Sequence, residues 1–492
     1  MKSGIRGIIL VTVGMIAGAV IGAVTAEPVA NKKTTLPLSE IRQFTDIYGA
    51  VKQFYVEPVS DKKLMKEAIS GMLHGLDPHS AFLDEESFKE LQEGTLGEFG
   101  GLGIEVTSDP SGVKVVTPID DTPAANANIR AGDIIYKIDG KLIRDTPLND
   151  AVKMMRGKPN TTIDLSILRK GERAPLNIKL TRAIIKVKSV KFKALPDHMG
   201  YVRISQFQER TNSELAKAIN ELAKTDNLKN GLILDLRNDP GGLLNAAVGV
   251  SAVFLPKGVL VVSTKGQVEE AKKDYLTVPA DYRTTKDDEL IERLPALVKK
   301  IPLVVLVNGA SASASEIVAG ALQDHKRAAI LGTKTFGKGS VQTVIPLRGE
   351  AKNTAIKLTT ARYFTPTGRS IQAKGIEPDV EVKDTADGNF LDFDIREADL
   401  ANHLEVAEDK SAPKPVPVNA GKQKPTGQIK EKVLDQKGQE KKPAPKFYKY
   451  GDPDDYQLQQ AVKYLKEKPN TLQPAKNPRI KEHIEPLTPQ KK

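Results

Sequence analysis

The 492-residue chain contains no cysteine. That absence excludes disulfides, zinc–thiolate sites, iron–sulfur clusters, a cysteine nucleophile and a lipid-modified amino-terminal cysteine, and it fits an oxidising compartment. Tryptophan is absent too and aromatic residues make up 5% of the chain, so its cores are expected to be aliphatic. There is also no single basic block. The formal net charge is +11, but Lys and Arg are spread along the chain with acidic residues between them, so no nucleic-acid partner is expected. No internal repeat is evident. With 39% hydrophobic and 27% charged residues the composition is that of a globular protein, and the length calls for two or three folded units.

The first residues carry an export pattern. Lys2 and Arg6 precede an apolar run from Gly7 to Ala26, and Val24-Thr25-Ala26 before Glu27 supplies the small residues a signal peptidase prefers. Residues 1–26 are read as a signal peptide or a retained membrane anchor, with any membrane contact confined to that segment.

Between Leu38 and Leu91 apolar residues recur at helical spacing, as in Ile41, Phe44, Ile47, Tyr48, Val51 and Tyr55, which predicts a helical amino-terminal region over 38–97. A small β domain follows over 98–183, with strands at Val113–Val116, Asp133–Ile138 and Thr162–Leu168 and a helix at Leu148–Met155. Over 184–385 strands and helices alternate: strands Tyr201–Ile204, Leu232–Leu236 and Leu303–Val307, helices from Asn212 and Ser313, and strands near Ala329, Val341 and Ala355–Tyr363. This alternation predicts a mostly parallel sheet covered by helices. Residues 386–447, rich in Lys, Pro, Gln and Glu, read as a flexible linker, and 448–492 as a tail. Within that tail Leu458, Ala461, Val462 and Leu465 share one helical face, expected to dock on a partner surface or a second subunit. The fold class is thus α/β and β multidomain.

Candidate chemistry gathers in two segments. Val307-Asn308-Gly309-Ala310-Ser311-Ala312-Ser313-Ala314-Ser315-Glu316 ends a strand and opens a helix, where unpaired backbone N–H groups can face a developing anion. A serine run there can equally be a helix cap. Downstream, Phe336-Gly337-Lys338-Gly339-Ser340-Val341-Gln342 holds one lysine between two glycines. If buried, that lysine loses its charge more readily and becomes a competent base, which Gln342 can orient; on an open loop it is simply solvated.

Three rival chemistries fit less well. Gly332 to Lys338 resembles a phosphate loop, but Gly339 stands where Ser or Thr is needed for magnesium, and a strand follows instead of a helix. For a Ser-His-Asp triad, Asp324-His325 is the tempting pair, yet one helix from Ser313 to His325 separates their backbones by roughly 18 Å. His325 is expected near that helix's end, at its free carbonyls. His74 and His79 lack the i, i+4 spacing of a zinc protease and read as structural or surface residues.

Taken in order, Gly75-Leu76-Asp77-Pro78-His79-Ser80, Phe99-Gly100-Gly101-Leu102-Gly103-Ile104, Asp235-Leu236-Arg237-Asn238-Asp239-Pro240-Gly241-Gly242 and the two segments above resemble the carboxyl-terminal processing proteases. These are serine peptidases that pair a PDZ domain with a Ser/Lys catalytic core. The resemblance covers Leu38 to Asp384. It implies Ser313 as nucleophile, Lys338 as its general base, Gln342 as support for that lysine, an oxyanion hole from the N–H groups of Ala314 and Gly241, a supporting role for Asp324, and acyl transfer for which no metal or cofactor is expected. Asp239 departs from the usual Asn or Gly of that turn, and its side chain is expected to point away from the hole. The β domain becomes a PDZ module in which Gly101, Leu102, Gly103 and Ile104 receive a peptide C-terminus, with Arg169 a candidate link between PDZ and protease. Expected partners are exported proteins with accessible apolar C-termini, a second copy of the chain and an adaptor protein. The expected location is the bacterial periplasm or the outer face of the inner membrane.

Overall fold

The computed structural model describes residues 36–119, 121–386, 388, 395–406 and 450–467. The export segment 1–26 and most of the expected linker lie outside them. Two units are distinguished, residues 1–69 and 70–492.

In the first unit, helix Leu38–Phe54 buries none of its 17 residues, and its stripe of Ile41, Phe44 and Ile47 is exposed. The next helix, Asp61–His74, starts with a carboxylate that takes the Lys52 ammonium at 2.8 Å. None of the described helices is long and apolar enough to cross a membrane.

Early in the second unit, after the end of helix Asp61–His74, comes a buried turn. Asp77 Oδ1 accepts the N–H groups of His79 (2.8 Å) and Ser80 (2.9 Å), and its Oδ2 accepts the Ser80 hydroxyl (2.6 Å). Short side-chain acceptors that bond backbone two and three residues on form tight turns, and this one delivers the strand Ala81–Leu83. Helix Glu85–Leu96 then starts on the Asp84 carboxylate, which accepts the Ser87 N–H, and stops at Gly97 in the left-handed region (φ 69°).

The β domain is a six-stranded antiparallel sheet built from Ile104–Asp109, Gly112–Pro118, Ile134–Ile138, Lys141–Leu142, Thr162–Leu168 and Leu176–Thr181. The helix Leu148–Met155 and the strand Thr162–Leu168 fall where the sequence spacing puts them. Val113, Val115, Ile135, Ile163, Leu165 and Ile167 alternate inward to make its core with Ala151 and Met155. A two-stranded ladder, Glu98–Gly101 with Ala183–Lys186, brings the chain in and out of this domain, so it is an insertion.

The remaining core is organised on a six-stranded sheet ordered Val190–Leu195, Met199–Ile204, Gly231–Asp235, Leu303–Val307, Ala329–Gly332 and Val380–Glu381. The first pair is antiparallel and all later pairs are parallel. Successive residues point to opposite faces, so Leu232, Leu234, Leu303, Val305 and Val307 join one cluster with the helices Thr211–Lys224, Leu244–Phe254 and Ala314–Asp324. Ile233, Val304, Leu306 and Leu331 point the other way, onto Leu458, Ala461 and Leu465 of the helix Tyr456–Glu467. A parallel sheet must be covered on both faces. The carboxyl-terminal helix expected to dock on a partner therefore seals the second face of its own core.

Two other expectations are corrected. Ser340–Pro346 and Ala355–Phe364 do not extend the parallel sheet; they pair antiparallel in a separate five-stranded sheet with Ala81–Leu83, Leu260–Gly266 and Lys273–Leu276. Only residues 347–354 connect the two strands, too few for the crossover a parallel pair requires, so they fold back as a hairpin. The expected linker is also interrupted: residues 395–406 dock on the segment before Lys338, with Glu397 N–H donating to Phe336 O (3.2 Å) and the Arg396 guanidinium to the carbonyls of Lys334 (2.6 Å) and Thr335 (2.7 Å).

Candidate active site

Ser313 stands at the carboxyl end of the parallel sheet, immediately before helix Ala314–Asp324. Its backbone is left-handed (φ 56°), which a non-glycine residue adopts only when its surroundings fix it. They do so from both sides. Ser311 Oγ accepts the Asn308 N–H (2.9 Å) and donates to Leu236 O (2.8 Å), while Ala312 N–H and the Ser315 hydroxyl both donate to Asp239 O (3.0 and 2.9 Å). The serines flanking Ser313 thus fasten its turn to the Asp235–Gly242 segment.

The residue that joins this turn to the lysine loop is Glu316. Its fully buried carboxylate accepts four hydrogen bonds: Oε2 takes the N–H groups of Ser313 (2.8 Å) and Lys338 (2.9 Å), and Oε1 takes Gly337 N–H (2.7 Å) and the Thr335 hydroxyl (2.5 Å). One oxygen therefore holds the backbones of Ser313 and Lys338 side by side. Burial pushes the Glu316 carboxyl up to about 7, against the pull of those hydrogen bonds. Tyr363, on the strand Ala355–Phe364, adds a second tie. Its buried phenol donates to the Lys338 carbonyl and lies within hydrogen-bonding reach of the Ser313 hydroxyl.

Burial lowers the pKa of the Lys338 amine from its ordinary value, helped by the nearby Lys357 ammonium and opposed by Glu397, Glu316 and Asp77. Among these, Glu397 is itself held below the ordinary carboxylate range. Burial alone would raise it, but hydrogen bonds from His79 Nε2 (2.9 Å) and Gln372 Nε2 (2.9 Å) outweigh that. The Gln372 side-chain oxygen Oε1 accepts Gly339 N–H (2.9 Å), so this cluster borders the lysine loop.

Other site residues fall as follows. Gln342 donates to Ser340 Oγ (3.0 Å) and Thr359 Oγ1 (3.2 Å); its amide nitrogen braces the hairpin that carries the lysine and is not bonded to the amine. Gly241 packs against Ser313, and a Cβ there would lie 2.8 Å from both Ser313 Cβ and Ala314 N. Its N–H, however, donates to Asp239 Oδ1 at 2.8 Å. The expectation that Asp239 points away from the hole is therefore wrong: a carboxylate two residues before an N–H closes an Asx turn on it. Burial raises that carboxyl to about 8, and its Oδ2 has no hydrogen-bond partner. Ala314 N–H has no acceptor among the described hydrogen bonds. Asp324 sits at the far end of the helix, where Oδ2 accepts Thr367 N–H (2.9 Å) and the Thr367 hydroxyl (2.7 Å) and Oδ1 pairs with Arg369. It braces the turn before Gln372 and touches neither Ser313 nor Lys338. His325 ends that helix, with Nε2 2.7 Å from Leu260 O.

In the β domain, Leu102 and Gly103 form the turn before the edge strand Ile104–Asp109. Their carbonyls accept the N–H groups of Ala124 (3.0 Å) and Ile119 (2.8 Å), and their own N–H groups have no acceptor among the described hydrogen bonds. Arg169 is held inside this domain, with Nε and Nη2 each 2.7 Å from the Asp133 carboxylate and Nη2 2.8 Å from Asn128 O. In this structure it makes no link to the protease core.

Comparison with known proteins agrees with this layout. Residues 198–382 match the model of peptidase family S41, residues 100–180 that of the PDZ domain, and residues 19–87 that of the activating protease CtpB N-terminal domain. The carboxy-terminal-processing protease of Bartonella bacilliformis is 46% identical over 405 residues, 81% of this chain and 88% of that protein. The chain belongs to the carboxy-terminal-processing proteases of peptidase family S41. A protein of Staphylococcus haemolyticus named as a probable CtpA-like serine protease is 35% identical over 381 residues, 76% of this chain and 71% of that one. Among solved structures, the photosystem II D1 C-terminal processing protease is 31% identical and covers 70% of this chain and 93% of its own, with a TM-score of 0.38. Membership makes this chain a serine-type peptidase with a PDZ domain.

Sequence reading named Ser313 and Lys338 but missed what joins them. Glu316 ends the serine-rich segment Val307–Glu316, three residues into the helix, where a capping carboxylate is expected; that it also serves a loop 22 residues away is a tertiary fact. His79 lies in the Gly75–Ser80 motif and was read as a structural or surface residue, without its Glu397 partner; Tyr363 and Glu397 gave no local signal.

Proposed function

We propose that the chain is an endopeptidase in which Ser313 and Lys338 form the catalytic dyad and the PDZ domain selects substrates by their C-terminal tails. The observation that carries the reading is the shared Glu316 oxygen, which sets a strained serine at a helix start beside a lysine whose amine burial makes less basic. Neutral Lys338 takes the Ser313 proton as Oγ attacks the substrate carbonyl carbon, and the oxyanion forms against the N–H groups of Ala314 and Gly241. The C–N bond then breaks, and the Lys338 ammonium returns the proton to the departing amine. Water attacks the resulting ester and gives one proton to Lys338, which passes it to Ser313 Oγ as the ester bond breaks; this frees Ser313 and neutral Lys338, and the new acid loses its remaining proton to solvent as the carboxylate. Every proton is accounted for by side chains and water. Gln342 supports the lysine indirectly through its strand pair. For Gly241 to donate to the oxyanion, Asp239 must release or share its hydrogen.

Substrate capture fits the PDZ edge. An extended tail pairing with Ile104–Asp109 would end its carboxylate at the open N–H groups of Leu102 and Gly103, which favours accessible apolar C-termini. The apolar stripe of helix Leu38–Phe54 supports self-association, and residues 1–26 support export to the periplasm or the outer face of the inner membrane. Purified protein should degrade an unstructured protein with an apolar C-terminus, and Ser313→Ala and Lys338→Ala should each abolish cleavage while remaining folded. Cleavage by Ser313→Ala at the wild-type rate would refute the mechanism. If wild type alone is idle, activity restored by an extract of its native compartment would indicate an adaptor.

A further inference from the structure

The last described stretch of the chain reaches the catalytic turn through one buried guanidinium. Arg237 follows the strand Gly231–Asp235 by two residues and is 1% exposed. Its Nε and Nη2 donate to the two oxygens of Asp235 (2.9 and 2.7 Å). The rest of its donor set is met from residues 218 and 220 positions away: Nη1 donates to Asp455 Oδ1 (2.8 Å) and Gln457 Oε1 (2.9 Å), and Nη2 to Asp455 Oδ2 (2.6 Å). The Tyr450 ring lies 4.4 Å from the guanidinium carbon of Arg237 and 4.4 Å from that of Arg203. Asp455 also accepts the N–H groups of Gly451 (3.0 Å) and Leu458 (3.1 Å), the latter starting the helix Tyr456–Glu467.

Arg237 is the residue before the turn that faces Ser313. Asn238 N–H donates to Asn308 Oδ1 (2.9 Å) and Asn238 Oδ1 accepts Asn308 Nδ2 (2.6 Å), Asp239 O accepts two donors from the nucleophile turn, and Gly241 abuts Ser313 Cβ. We propose that Tyr450 and Asp455 are positioning residues of the active site, acting through Arg237 to hold the Asn238–Gly241 turn against Ser313. The carboxyl-terminal segment is then a part of the catalytic core supplied in the same chain after residue 406. This rests on the reading of Ser313 as nucleophile and Gly241 as an oxyanion donor.

The test uses the full-length chain with a peptide ester that acylates fast and hydrolyses slowly, so that the burst counts competent sites. For Tyr450→Ala and Asp455→Ala, kcat per titrated site on a peptide substrate should fall at least tenfold with KM within about twofold of wild type. Tyr450→Phe, which keeps the ring, should restore kcat. Tyr450→Ala leaves every hydrogen bond of Arg237 in place, so it decides the matter if Asp455→Ala does not fold. A purely structural role would lower the burst and the melting temperature but leave kcat per site unchanged, and that result would overturn the proposal. Ser313→Ala in parallel separates the two failures: a burst that survives it sinks the Ser313 reading, whereas its loss with unchanged kcat per site in both variants sinks only the inference.

Discussion

Replacing Glu316 with Gln should separate activity from stability. The carboxylate accepts two hydrogen bonds on each oxygen, whereas an amide has one accepting oxygen and an NH₂ that can only donate. Two buried donors therefore lose their acceptor and meet another donor, at about 1–3 kcal/mol each. If the amide nitrogen faces Ser313 and Lys338, their common anchor is gone; if it faces Thr335 and Gly337, the lysine loop is freed one residue earlier. A loss of about 2–4 kcal/mol expressed in the transition state lowers kcat/KM by roughly 30- to 1,000-fold. Stability follows a different course. Because burial raises the Glu316 pKa from 4.5 to about 7, its contribution is fully present below 4.5 and is lost as pH rises through about 7, amounting to about 3 kcal/mol. Gln carries no such penalty, which offsets much of its hydrogen-bond loss above pH 7. At pH 8 the variant should melt close to wild type yet cleave poorly, and its melting temperature should fall less than wild type's between pH 5 and 8. Peptide cleavage and thermal melts across that range check both. Cleavage within threefold of wild type, or melting that falls in step with activity, would refute the reasoning.

Three more perturbations follow from the same geometry. Lys357→Met removes the cation that helps lower the Lys338 pKa, so the acidic limb of kcat/KM should move to higher pH with the alkaline plateau preserved; an unmoved limb would mean Lys338 does not set it. Asp239→Ala frees the Gly241 N–H and should raise kcat a fewfold, while Asp239→Asn should keep the turn and remove any activity loss that wild type shows as pH rises through about 8; pH–rate profiles of both variants check this. Gly103 has φ 78°, and a Cβ there would lie 2.3–2.5 Å from Thr122 side-chain atoms. Gly103→Ala should therefore weaken binding of an apolar C-terminal peptide at least tenfold, measured by titration, while cleavage of a short peptide that does not need the PDZ groove changes less than threefold.

Much of this was legible locally. Leu148–Met155 and Leu303–Val307 declared themselves because an amphipathic helix and a run of five buried aliphatic residues each have a period or composition with one structural solution. Placing the expected strand Ala355–Tyr363 in the parallel sheet reflects a limit of periodicity, which identifies a strand but not its partner. The helix Tyr456–Glu467 showed its apolar face plainly, yet nothing local says whether that face meets another subunit or the open side of its own sheet. Glycine-rich turns and the serine-rich helix start located the candidate site. The residues that hold it, Glu316 to Lys338, Tyr363 to Ser313 and Asp455 to Arg237, meet only after folding, and Asp239 was misjudged because its turn-forming habit was weighed less than its charge.

The most direct test of the dyad is to find where the acyl group sits. Wild type mixed with a slowly deacylating peptide ester, quenched in acid within the burst and digested, should carry the acyl mass on the peptide containing Ser313, with fragmentation placing it on that serine. Lys338→Ala, still folded, should show no such adduct at neutral pH. An adduct on another residue, or undiminished acylation of Ser313 without Lys338, would contradict the account.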